Sequence, residues 1–92
     1  MTRETSIETR LRKGVKALDG YCIKLNPLGL VGIPDRLLLL PGGRVVFVEC
    51  KKPKGSRIAR MQEVWKEELE RLGFRHEYVF TVEDVDQLLE RG

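Results

Sequence analysis

Two short apolar segments, Leu37 to Leu40 and Val45 to Val48, stand on either side of Pro41-Gly42-Gly43. A proline followed by two glycines marks a tight turn, so the segments should fold back on each other as a hairpin. Both are continuously apolar rather than alternating, which places them in the middle of a sheet covered on both faces. A chain built around such a hairpin has to provide helices to cover it.

The flanking sequence has the patterns for them. Ile7, Leu11, Val15 and Leu18 fall at helical spacing, which predicts an amphipathic helix over 5–18. Thr5-Ser6-Ile7-Glu8 has the form of a capping box at its start, and Gly20 should end it. Tyr21, Ile23 and Leu25 alternate with Cys22 and Lys24, as in a half-buried strand, and 26–32 reads as a loop. The hairpin strands follow at 35–40 and 45–51, closed by Pro53 and Gly55. Ile58, Met61, Trp65, Leu69 and Leu72 mark the core stripe of a second helix over 57–72, with Ser56 as N-cap. A strand over 75–80 carries His76 at its surface, and Thr81 caps a last helix that buries Val85, Leu88 and Leu89. The predicted order is αβββαβα.

The length, 92 residues, suits one domain over 1–92 with one modest core. A hydrophobic share of 41% with 34% charged residues fits a globular chain and argues against disorder. The longest apolar run is too short to cross a membrane, and the N-terminus lacks the apolar core of a signal peptide, so the expected location is the cytoplasm. Cys22 and Cys50 make no disulfide framework, and with only His76 besides, a structural zinc site is not expected.

The net charge of +3 is unevenly spread. Residues 1–62 hold 13 Lys or Arg and 5 Asp or Glu, while 63–92 hold 4 and 9. The densest basic stretch is Lys51, Lys52, Lys54, Arg57 and Arg60. It could be a solvated loop and helix start. It could also be a phosphate-contacting surface, since such clusters supply most non-specific nucleic-acid affinity.

The hairpin's open end carries Asp35 on one side and Glu49-Cys50-Lys51 on the other. Gathered carboxylates suggest a divalent cation, and the lysine a negatively charged substrate. Magnesium prefers oxygen ligands and usually takes one or two protein carboxylates. Asp35 and Glu49 supply that number, and the Cys50 carbonyl could add a ligand. Lys51, two residues after Glu49, points to the same face and can orient an attacking water or stabilise developing charge. All this depends on register. A three-residue loop pairs Leu40 with Arg44 and sets Asp35 opposite Glu49. A two-residue loop puts the carboxylates on opposite faces. The chemistry therefore predicts an odd loop with a left-handed glycine, or a bulge.

Gly32-Ile33-Pro34-Asp35-Arg36, Pro41-Gly42-Gly43-Arg44 with Val45 to Lys51, and Gln62 further on together resemble the virus-type replication-repair nuclease (VRR-NUC) domain. That family is a branch of the PD-(D/E)xK superfamily, and the resemblance covers nearly the whole chain. It implies a restriction-endonuclease-like α/β fold: a four-stranded mixed sheet flanked by helices. It implies a nuclease dependent on Mg2+ or Mn2+, with Asp35 and Glu49 as metal-binding acids and Lys51 as catalytic lysine. Glu8 matches an acid on the first helix that can complete the metal site, and Gln62 a glutamine near it. Relatives often carry Ser-Pro before that glutamine, where this chain has Arg57 to Met61. An aliphatic residue is more usual at Cys50, which a backbone-only role would tolerate.

The expected activity is that of an endonuclease on DNA, with Arg36, Lys52, Lys54, Arg57 and Arg60 as DNA contacts. So small a domain has little room for base readout, so strict sequence specificity is not expected; the resemblance implies branched or structured DNA such as a four-way junction, which a homodimer with two sites would suit. Flap cleavage or nicking, a decayed non-catalytic DNA-binding module, and hydrolysis of another phosphate ester are the alternatives.

Overall fold

The computed structural model describes residues 5–25, 29–52 and 55–91. Helix α1 (Ser6–Ala17) leads to strand β1 (Tyr21–Lys24), then β2 (Arg36–Leu40) and β3 (Arg44–Cys50). Helix α2 (Arg60–Arg71), strand β4 (Arg75–Val79) and helix α3 (Val82–Arg91) follow. The strands form one sheet in the order β1-β2-β3-β4, with β4 parallel to β3 and the other pairs antiparallel. The predicted order and mixed sheet are the observed ones.

The hairpin takes the odd loop. Leu40 pairs with Arg44, and Gly42 and Gly43 turn the chain at φ 84° and 74°, the left-handed region that residues with a Cβ avoid. Arg44 Nε donates to the Pro41 carbonyl across the loop at 2.9 Å. This fixes which face every hairpin side chain occupies.

On one face, Leu38, Leu40, Val46 and Val48 pack with Val79 against Ile7, Leu11 and Val15 of α1 and Val85 and Leu88 of α3. Leu38, Val46 and Val48 are wholly buried, each worth about 1.5–3 kcal/mol of transfer free energy. The other face carries α2, which packs on β4 and reaches β3 through Gln62. Leu39 remains partly exposed there, so the hairpin is covered completely on one face and in part on the second, not on both. The reason is economy of helices: one helix about 10 Å wide, lying along the strands, covers about two of them at a spacing of about 4.8 Å, not four.

Other local expectations shift with the packing. Thr5 and Glu8 form the capping box of α1, but the left-handed residue after that helix is Asp19 (φ 65°), not Gly20. In β1 it is Cys22 that packs on the core, while Tyr21 and Ile23 are exposed. Helix α2 begins at Arg60 rather than 57, because the Ser56 hydroxyl accepts from the Lys52 N–H at 2.7 Å instead of capping. That leaves Ile58 outside the helix and exposed, and Met61 on the first turn of α2 is exposed as well, rather than in the core. His76 is buried, not superficial, and stacks edge-on against Tyr78 with ring centroids 4.8 Å apart. Helix α3 starts as expected, with Thr81 Oγ1 accepting from the Asp84 N–H at 3.1 Å and Asp84 returning a bond to the Thr81 N–H at 3.2 Å.

Candidate active site

Asp35 sits one residue before β2, and its backbone is tied to β1 by a bond from the Leu25 N–H to its carbonyl, 2.8 Å. The Arg36–Val48 pairing, extended by one step, sets it opposite Glu49. Its Oδ2 accepts from the Cys50 N–H at 3.0 Å. A strand residue sends its N–H and C=O toward the same neighbour, so the Cys50 carbonyl is also on the Asp35 side. The Cys50 side chain turns toward the core instead, where burial pushes the thiol up to about 12. With its side chain packed on the core, Cys50 presents its backbone to Asp35.

Glu49 is only 5% exposed. Burial and then the charge of Asp35 push its carboxyl up to about 7, against the pull of Lys51. Burial raises Asp35 as well, partly offset by the Cys50 N–H. Two raised carboxyls facing each other form a donor set short of positive charge. Hard oxygen donors of this kind fit a divalent cation that keeps several waters.

The remaining groups hold these two in place. Lys51 Nζ lies 3.7 Å from Glu49 Oε2 and donates to the Arg57 carbonyl at 2.8 Å. Gln62 Nε2 donates to Glu49 Oε2 at 2.8 Å. Its Oε1 accepts from the Ala59 N–H at 3.0 Å, capping the first turn of α2. A recess of about 250 Å³ opens at the same strand end, lined by Thr5, Ser6, Ile7, Cys50, Lys51 and Lys52.

Two expected site residues, Glu8 and Arg36, are bonded to each other. Glu8 Oε1 accepts from the Thr5 N–H and hydroxyl, and Oε2 accepts from Arg36 at 3.0 Å. Burial alone would raise the Glu8 carboxyl, but the bonds from Arg36 and Thr5 outweigh it and lower it. Among the described residues, no three Asp, Glu, His or Cys side chains converge as a ready metal cluster; Glu8 is bonded to Arg36 and Thr5, and its charge acts on Asp35. Arg36 is 5% exposed, so it is not the DNA contact that its charge suggested. It is the internal partner of Glu8, because register turns it toward α1.

Lys52, Arg57 and Arg60 are exposed on the connection from β3 to α2, beside the carboxylates, and Arg60 lies 3.5 Å from Glu63. Lys54 lies outside the described residues. Sequence reasoning missed Tyr78. It pairs with Glu49 across β3 and β4, and its buried hydroxyl has no hydrogen-bond partner among the described residues. Only the parallel register of β4 brings it there, and no local pattern announces that register.

No family model matches the chain. A curated relative named "Putative nuclease p44", from Acyrthosiphon pisum secondary endosymbiont phage 1, is 45% identical over 53 residues. That match covers 58% of this chain and 57% of the relative, so the chain spans little more than half of the relative's length. A solved structure described as a VRR_NUC domain superposes with a TM-score of 0.87 at 31% identity, over 98% of this chain and 97% of that one. Among the described residues no helix is long and apolar enough to cross a membrane.

Proposed function

This chain belongs to the VRR-NUC domain family, and from that premise we propose that it is a divalent-metal-dependent endonuclease hydrolysing phosphodiester bonds in DNA. The observation that carries the reading is the apposition of Asp35 and Glu49 across the hairpin, with Lys51 beside Glu49. A decayed binding module would have no need to keep two costly carboxylates and a lysine in this arrangement.

Asp35 and Glu49 would hold Mg2+ or Mn2+ through their carboxylate oxygens, with the Cys50 carbonyl as a third donor. The ion, when bound, supplies a Lewis acid for the phosphate and lowers the pKa of a water. Lys51, held by the Arg57 carbonyl, offers its ammonium to the phosphate oxygen that gains charge or to the attacking water. Gln62 keeps Glu49 aimed. Glu8, which also holds Arg36 and raises Asp35 through its charge, would complete the metal site from α1. Lys52, Lys54, Arg57 and Arg60 would contact backbone phosphates and contribute affinity without sequence selectivity.

The substrate we propose is structured or branched DNA, with a four-way junction as the leading candidate and a homodimer presenting two sites. The small domain leaves little surface for base readout. The phage origin of p44 suits an enzyme acting in the cytoplasm of a bacterial or phage-infected cell. Labelled linear, flap, splayed and four-way DNA, each incubated with Mg2+, Mn2+ or chelator, tests the reading. Metal-dependent cleavage, fastest on a branched substrate, is expected. No cleavage of any of them with either metal would overturn it.

A further inference from the structure

Beside the carboxylates lies an apolar patch to which the chemistry above assigns no role. Leu30, Val31 and Met61 are 46%, 73% and 43% exposed. They lie together: a Cβ at Gly32 (φ 89°) would sit 2.6 Å from the Met61 carbonyl carbon, so the 30–33 turn rests directly on the first turn of α2. The turn is pinned there. Trp65 Nε1 donates to the Val31 carbonyl at 3.1 Å, and the Ile33 N–H to the Leu30 carbonyl at 3.4 Å. Its apolar tips are thus held out in water rather than folded onto the core.

Both walls of this patch connect to the site. Val31 precedes Asp35 by four residues, through the fully buried Pro34. Met61 is next to Gln62, which bonds Glu49. Along the chain, Met61 is preceded by Arg57, Ile58 and Arg60, all exposed, with Arg60 3.5 Å from Glu63 and the Arg57 carbonyl bonded to Lys51. Apolar tips close in sequence to such cations suit a ligand that is anionic along its backbone and apolar on its faces. A nucleic acid with unstacked bases is such a ligand, whereas an intact duplex hides its base faces. We propose that the Leu30–Val31 turn and Met61 seat against a base exposed next to the scissile phosphate. The substrate class would then be DNA carrying an unpaired or unstacked base at the cut site. This inference rests on the nuclease reading above.

The test uses a Val31→Ser, Met61→Ser double variant of the full chain. Both residues are exposed, and unchanged thermal unfolding checks the fold. One arm follows cleavage of splayed and linear DNA with Mg2+. The splayed-to-linear rate ratio should fall about tenfold in the variant, within the usual range for losing one base contact. The other arm omits metal and places 2-aminopurine at the branch point. Wild-type protein should raise its fluorescence as the base leaves its stack, and the variant should not. An unchanged rate ratio together with an unchanged fluorescence rise would overturn the base contact. So would conversion of a dimer to a monomer by the variant without loss of the rise, since the patch would then be a contact between copies. A wild-type fluorescence rise without any cleavage would overturn the catalytic reading and leave the base contact standing.

Discussion

Gln62 bonds Glu49 through Nε2 at 2.8 Å while its Oε1 caps α2 at the Ala59 N–H, 3.0 Å. One amide therefore ties the helix start to the more perturbed of the two facing carboxylates. Ala59 has no side-chain oxygen with which to cap α2, so Gln62 supplies the side-chain bond at this helix start, beside the Ala59 carbonyl that accepts from the Gln62 and Glu63 N–H groups.

Gln62→Leu should accordingly have two effects. Loss of the cap should cost about 1 kcal/mol in denaturant unfolding. Loss of the bond to Glu49 should lower cleavage about 10- to 100-fold, the usual range for a group that orients a metal ligand. Weaker apparent Mg2+ affinity would separate this from a purely structural effect. A variant with the helix destabilised but metal affinity and rate intact would contradict the role.

Glu49 makes stability fall as pH rises. Its folded pKa of about 7 exceeds the ordinary value of 4.5, so between these values the native state binds more protons than the unfolded one. The stability that Glu49 contributes should be lost progressively from about pH 4.5 to pH 7, while buried His76, held below its usual value, works in the opposite direction over part of that range. Above that range the charged carboxylate costs about 3 kcal/mol in the absence of metal. Glu49→Gln does not titrate, so in chelator it should be the more stable protein at pH 8 while losing cleavage. The advantage should vanish near pH 4.5. Thermal melts across pH check this, and a variant less stable than wild type at pH 8 would refute it.

Arg36→Met should destabilise without touching DNA affinity. Its partner Glu8 is mostly shielded and would be left uncompensated, at a cost of about 3 kcal/mol in unfolding. Because Arg36 is buried, the salt dependence of DNA binding should keep its slope. A flatter slope would return Arg36 to the DNA surface.

Arg57→Ala and Lys52→Ala should weaken binding to all DNA sequences alike. Each should reduce the slope of log affinity against log salt by about one, as expected for one lost phosphate contact. Binding titrations at several salt concentrations measure it, and unchanged slopes would remove this segment from the interface.

The hairpin was the legible part. Its loop length followed from Pro41-Gly42-Gly43 together with the requirement that Asp35 face Glu49, and the register delivers that pairing. The Thr5–Glu8 capping box was equally local and equally readable. What failed depended on tertiary contacts. Ile58 shares the apolar spacing of a core stripe, yet the helix starts only at Arg60, with Ser56 bonded back to Lys52, and Met61 on its first turn faces outward. Tyr21 and Ile23 look like an inward face, but Cys22 is the residue that meets Leu38 on the packed side. Arg36 reads as a surface cation until the register turns it toward Glu8. Charge and hydropathy describe a side chain, whereas face and register decide what it meets.

The central claim is that Asp35 and Glu49 together hold the catalytic ion. Single-turnover cleavage of a four-way junction at saturating Mg2+, with junction affinity measured in parallel, tests it most directly by comparing wild type with Asp35→Ala. The variant should lose at least about a thousandfold in rate, corresponding to about 4 kcal/mol of transition-state stabilisation, with affinity within about threefold of wild type. Cleavage by Asp35→Ala at the wild-type rate would contradict the account.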